Sequence, residues 1–409
     1  MTLDLGNYPV GTTPVLNKKT ALKNSLSAFS PVIMGNMYPS SAPFSQGLSG
    51  ICDIYGPYVF PKDPESITSL NQGQIGNILG IADFSELKNL TGITNSNSNY
   101  GFSSINLNSK NIINIDYSNN GNYLRFLNLN NCSNLSTLNC GNESFKNLSI
   151  AGCTGLTNLN CSNSAFTNLD VNEFNNLTSL NCSYNQITGL NVSGCSKLTS
   201  LSCLYNQLAN LNVAGLTGLS IISCRNNSMT NLNVSGCTTL NTLNCSYNSL
   251  TGLNLSQFTN LTSFNCEYNQ LTNLNLSGCT SLNTLNCNYN SSLSNLNVAG
   301  CTLLSYLYAN TNSLTSLNLS GLNSLSTLYC DYGQLTGINI AGCTNLTELK
   351  AQDNNLTAES VNNILITLSG FGQENGNLHL NGNAAPTSLG ISAKNYLINT
   401  KGWSVTTNT

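Results

Sequence analysis

Residues 198–218 read LTSLSCLYNQLANLNVAGLTG, one copy of a 21-residue unit that recurs through the middle of the chain. Numbered from Leu198, apolar residues stand at positions 1, 4, 6, 11, 14, 16 and 19, with Asn at position 9. Cysteine at position 6 carries the register: Cys140, Cys161, Cys182, Cys203, Cys224, Cys245, Cys266 and Cys287 follow one another at 21-residue intervals. The count slips by one residue at Ser291 and Ser292, then resumes at Ala309, Cys330 and Ala351. A fixed period of this length marks stacked coils, so the fold class is a repeat solenoid.

The unit is two half-units. Leu-x-x-Leu-x-Cys-x-x-Asn at positions 1 to 9 is answered by Leu-x-x-Leu-x-Val-x-x-Cys at positions 11 to 19. Position 19 forms a second column: Cys132, Cys153, Phe174, Cys195, Leu216, Cys237, Phe258, Cys279, Cys301, Leu322 and Cys343. The alternation in Leu-x-Cys and Leu-x-Val suits a short strand with one face inward. Stacking would pair each triplet with its neighbours above and below, giving two parallel sheets. One coil cannot bury its own apolar face, so the stack must supply the core.

Leu-x-x-Leu-x-Cys-x-x-Asn-x-Leu resembles the leucine-rich repeat, in its short, Cys-bearing, internally doubled form known from bacterial surface proteins and bacteriophage proteins. The resemblance covers roughly residues 100–356. It implies a solenoid of about eleven coils, mainly short parallel strands, and a habit of binding. It implies no chemistry, because a fold does not fix a function.

Only 7% of residues are charged, against about 25% in an ordinary soluble protein. Asn, Ser and Thr crowd the outward positions instead. The net charge of -3 gives no reason to expect nucleic acid as a partner. Most of the 17 cysteines fall on the two inward columns. Side chains stacked in register about 4.8 Å apart with parallel Cβ vectors are poorly placed for disulfides, so the columns read as buried thiol filler. With no Cys-x-x-Cys pair, no metal site or other cofactor is expected. The first 26 residues contain no apolar core and no small-residue cleavage site, so the expectation is no secretory signal and assembly in a cytoplasm. No stretch approaches about 18 apolar residues, so no membrane insertion is expected.

Three regions follow. Residues 1–99 hold eight of the nine prolines, with interleaved aromatics and the cluster Lys18, Lys19 and Lys23. They read as a separate anchoring and oligomerisation region, with a short helix expected inside 67–93. Residues 100–356 form the solenoid. Residues 357–409 form a small α/β cap: TAESVNNILITLSG has apolar residues at helical spacing and Gly370 as its stop, followed by Leu378-His379-Leu380 as a strand and a second helix through Ala393 and Leu397. The block NGNAAPTSLGISAKNYLINTKGWSVTTN resembles C-terminal modules of phage tail and other virion proteins.

No catalytic residue is assigned. A Ser-His-Asp triad would have to use the single His379, and no Gly-x-Ser-x-Gly elbow is present. Asp331 and Asp353, at positions 7 and 8 of adjacent coils, are close enough for the paired carboxyl groups of a glycosidase, with Glu348 and Lys350 nearby. The candidate binding residues are the position-8 tyrosines Tyr184, Tyr205, Tyr247, Tyr268, Tyr289 and Tyr332, a column interrupted by Asn226 and Thr311. Outward rings at coil spacing offer stacking faces and hydroxyls; the same rings can instead pack on one another as a structural ladder. The function these features imply is that of a non-enzymatic bacteriophage fibre, spike or decoration subunit located in the virion. Its N-terminal region would meet other virion proteins as a trimer, and its solenoid would meet a host surface glycan or protein. The alternatives are a bacterial surface or secreted adhesin, and a polysaccharide-processing enzyme.

Overall fold

The computed structural model describes residues 147–409 without a break, residues 81–84, 87–94, 104–118 and 124–141, and the strands 52–55, 58–61 and 69–71. The fold is the expected parallel solenoid. The half-units contribute three-residue strands at positions 3–5 or 13–15, such as Ser200–Ser202 and Asn210–Asn212. The central residue of each, Leu201 or Leu211, points into the core. Successive coils pair in register, Leu180 to Leu201 to Ile222 to Leu243.

The first half-units build one uninterrupted 16-stranded sheet from Ser69–Asn71 to Ser404–Thr406. The second half-units depart from the expected matching sheet. They form a six-stranded sheet at the N-terminal end and then four separate pairs of strands. One lapse coincides with Gly252 at position 13, where residues 252–254 form no strand.

Local chemistry explains the unit. Between positions 16 and 1 the chain makes two successive three-residue turns: Cys195 N–H donates to Val192 O and Leu198 N–H to Cys195 O, each at 2.9 Å. This fixes apolar residues at 16, 19 and 1. Glycine at position 18 serves the same turn, as at Gly236 with φ +81°, or at Gly194, where a Cβ would lie 1.7 Å from Asn172 O. The abundant Asn at positions 5 and 15 folds back on its own backbone: Asn181 and Asn191 accept from the N–H two residues on, at 3.2 and 3.1 Å.

Position 9 carries an amide ladder. Asn206 Nδ2 donates to Cys182 O in the preceding coil and to Cys203 O in its own, at 3.0 and 3.1 Å. Its Oδ1 accepts from Ile187 N–H at 3.0 Å. The same set recurs at Asn185, Asn227, Asn248, Asn269 and Asn290. At the one-residue slip, Leu293 N–H is met locally by Asn290 O, and Asn312 Oδ1 accepts from Asn290 N–H instead. Gly333 interrupts the ladder, and Asn354 and Asn383 resume it.

The 16 cysteines from Cys132 to Cys343 form no disulfide, and all are buried. Burial pushes the Cys182, Cys245 and Cys287 thiols up to about 12. Position-19 thiols donate to the position-16 carbonyl one coil back, as Cys195 Sγ does to Val171 O at 3.2 Å.

The sheets extend N-terminal to residue 100. Strands 81–83 and 92–94 pair in parallel with later coils, and Cys52–Tyr55 and Tyr58–Pro61 form an antiparallel pair at the edge. The short helix expected inside 67–93 is not found among the described residues there: Ile81–Asp83 is a strand, because Ala82 follows the coil register opposite Ile105. Lys18, Lys19 and Lys23, and with them the anchoring region's first 51 residues, lie outside the described residues.

The cap forms as expected, with helices α1 (Ala358–Gly370) and α2 (Ser388–Lys401) around the strand Asn377–His379. Thr357 caps α1, its hydroxyl accepting from Ser360 N–H. Gly370 is the last helical residue rather than a left-handed stop, and Phe371 closes the helix in an extended conformation. The left-handed glycine belongs to α2: Gly402 has φ +68°. Trp403 then folds inward, its Nε1–H donating to Gln373 O at 3.1 Å, and closes the end of the core.

Candidate functional site: the aromatic column at position 8

Position 8 follows the last inward residue of the first half-unit, where the chain must reverse. Every described residue there from Asn163 to Asp353 has a left-handed backbone, and the six tyrosines have φ between +51° and +56°. This conformation costs an ordinary side chain about 1–2 kcal/mol. It also turns each N–H toward the next coil, where Tyr205 N–H meets Arg225 O at 2.9 Å. The register of the stack thus imposes the conformation on whatever side chain stands there.

The structure brings five of the six tyrosines into two stacks. Tyr184 and Tyr205 lie 4.6 Å apart between ring centroids, nearly parallel at 10°. Tyr247, Tyr268 and Tyr289 continue at 4.5 and 4.2 Å. Offset stacking of this kind adds about 0.5–1.5 kcal/mol per pair and offsets much of the backbone strain. Within a stack the ring faces are therefore occupied by one another, and only edges and hydroxyls meet solvent. Free faces occur at stack ends. Tyr332 stands apart, 57% exposed, its hydroxyl accepting from Gln352 Nε2 at 3.2 Å.

Asp331 and Asp353 stand in different surroundings. Asp331 is buried and its Oδ1 accepts from Gln352 N–H at 3.0 Å; burial raises its carboxyl above the usual range. The exposed Asp353 lays its carboxylate against Gly382, one coil further on. His379 contacts Thr406 Oγ1 at 3.2 Å through Nδ1. Among the described residues, no group of three His, Cys, Asp or Glu is placed to hold a metal ion, and no helix is long and apolar enough to cross a membrane.

Two features escaped the sequence reading. Arg225, at position 7, lays its guanidinium over Tyr247, 4.6 Å from the ring centroid. On the outer face of the long sheet, Tyr308 and Tyr329 meet edge to face at 5.4 Å, and Lys350 Nζ lies 4.2 Å over Tyr329. Lys350 also pairs with Glu348 at 3.2 Å, and Tyr329 OH donates to Glu348 at 3.2 Å. Burial alone would raise the Glu348 carboxyl, but bonds from Asn377, Lys350 and Tyr329 outweigh it and hold it low. The replacement of Asn by Tyr at position 5 in successive coils is the signal that could have found this patch.

A scan against protein-family models finds no match, and a search of the curated proteins finds none. Solved structures do match. A leucine-rich repeat protein of Leptospira interrogans is 18% identical with a TM-score of 0.54, covering 85% of this chain and 97% of that one. YopM, described as a leucine-rich effector protein from Yersinia pestis, is 21% identical with a TM-score of 0.52, covering 66% and 73%. The functional domain of InlJ from Listeria monocytogenes, described as including a cysteine ladder, is 25% identical with a TM-score of 0.40, covering 81% and 78%. The fold is that of a leucine-rich repeat solenoid.

Proposed function

We propose that this chain is a non-enzymatic binding protein that displays a stiff solenoid at a surface, and that the surface is a bacteriophage virion. In this reading the chain is a fibre, spike or decoration subunit. Residues 1–99 join other virion proteins and associate as a trimer. The solenoid faces a host surface glycan or protein. The observation that carries the binding role is the position-8 column. Its tyrosine edges and hydroxyls are held in line by a backbone that the coil register fixes, so little ordering entropy opposes binding. The likeness of the block NGNAAPTSLGISAKNYLINTKGWSVTTN in the cap to phage tail modules supports the virion. The burial of Asp331, whose Oδ1 is taken by Gln352 N–H, weighs against the glycosidase reading.

Mass spectrometry of purified particles tests the location. The expected result is this chain in stoichiometric amount, lost when residues 1–50 are deleted. A second reading, a bacterial surface or secreted adhesin, draws on the shared fold with proteins from Leptospira and Yersinia; recovery from a cell envelope and not from particles would select it. For the column itself, Tyr247→Ala with Tyr268→Ala should reduce attachment to host cells. Sugar release by the intact protein would overturn the non-enzymatic reading.

A further inference from the structure

The tyrosine column is interrupted twice, and the two interruptions differ in what fills them. Asn226 separates Tyr205 from Tyr247, and Thr311 separates Tyr289 from Tyr332. Neighbouring rings stack at 4.2–4.6 Å, so skipping one coil leaves flanking rings about 9 Å apart, two strand spacings. That distance admits one planar group between the rings, at the same 4.2–4.6 Å spacing on each side that the stacked rings themselves show.

The first slot is filled from within. Arg225 reaches forward from position 7, places Cζ 4.6 Å from the Tyr247 centroid, and anchors its Nε on Asn226 Oδ1 at 2.8 Å. Tyr247 is correspondingly half-buried, while the other five tyrosines of the column are exposed. At the second slot the same three positions read Asn310, Thr311 and Tyr332. Asn310 is too short to cover the ring, and its Oδ1 accepts instead from Asp331 N–H at 2.8 Å. Tyr332, the counterpart of the covered Tyr247, is the most exposed ring of the six.

The charges beside the second slot favour a cation. Asp331 precedes Tyr332, and Asp353 occupies position 8 of the next coil. The nearby Lys350 is already held by Glu348 and the Tyr329 ring. We infer that the slot between Tyr289 and Tyr332, over Thr311, receives an arginine side chain of a partner protein, in the manner in which Arg225 fills the slot over Asn226. A planar guanidinium can stack on both rings at once and still donate along its edge, which an ammonium cannot. This deepens the binding role proposed for the column and does not depend on which surface carries the chain.

The test uses the full chain labelled with fluorotyrosine and followed by fluorine NMR, titrated with blocked Gly-Arg-Gly, blocked Gly-Lys-Gly and maltotriose. The Arg peptide is expected to shift the Tyr289 and Tyr332 signals, with the Lys peptide about fivefold weaker. Tyr332→Leu should weaken the Arg peptide about tenfold. Asn310→Arg, which copies Arg225 into the second slot, should abolish binding while leaving the melting temperature at or above that of the parent. The inference is overturned if the Arg peptide moves neither signal, if Lys or the sugar does as well, or if Asn310→Arg binds undiminished. Because the readout is peptide binding, a chain absent from particles leaves the slot standing, and an empty slot leaves the virion reading standing.

Discussion

Asn206 reaches back one coil to the carbonyl of Cys182 at 3.0 Å, and Asn185 of the same coil as Cys182 donates to that oxygen at 3.0 Å as well. Each ladder carbonyl thus takes two donors, and each amide bridges two coils. Loss of one asparagine leaves the carbonyls still bonded but orphans one buried N–H, that of Ile187. Asn206→Leu should therefore destabilise by about 2 kcal/mol, the cost of one unmet buried donor and the lost bonds. The urea midpoint measures it, and a change under about 0.5 kcal/mol would show that the amide ladder is dispensable.

The core is one column per inward position, so a single charge has no route to water. Leu243 is buried between Ile222 and Phe264 on neighbouring strands. Leu243→Asp should cost several kcal/mol. Circular dichroism of the parent should be strand-dominated, and small-angle scattering should show an elongated particle; a compact sphere of this mass would refute the stacked-coil fold in solution.

The buried thiols make stability fall with rising pH. Unfolded cysteines ionise near their ordinary value of 9.0, whereas Cys182, Cys245 and Cys287 hold their protons up to about 12. Between those values the folded chain binds more protons, so each such thiol subtracts up to about 1.4 kcal/mol per pH unit above pH 9. The urea midpoint should be flat below pH 8 and drop steeply by pH 10.5. Alanine stands naturally at this position in Ala309 and Ala351, so Cys182→Ala with Cys245→Ala should fold and lessen the slope. Native protein should react slowly with a thiol reagent at pH 8, and denatured protein rapidly without reductant.

Tyr268 has φ +51° and a stacked ring on each side. Tyr268→Ala keeps the strained backbone and loses both stacks, while Tyr268→Asn keeps a residue type that tolerates this conformation, as Asn226 does one interruption away. Thermal denaturation should rank the parent first, Asn second and Ala last, with Asn and Ala separated by about 1 kcal/mol. Equal stability of all three would mean that the stack contributes nothing to the fold.

The period alone determined the solenoid and the inward columns, because a 21-residue repeat leaves each residue type the same neighbour in every coil. Position 8 shows where that reasoning stops. The sequence marked Tyr184 to Tyr332 as an outward column, but whether rings face solvent or one another depends on backbone φ and on the rise per coil, and neither quantity is written in the residue pattern. The breaks in the second sheet, one of them at Gly252, were not legible in the repeat either, because the half-units on both sides of each break share nearly the same letters. The surroundings of Asp331 and Asp353 were hidden in the same way: their sequence positions place them in adjacent coils, and only the fold buries Asp331 under the bond from Gln352 N–H and sets Asp353 against Gly382.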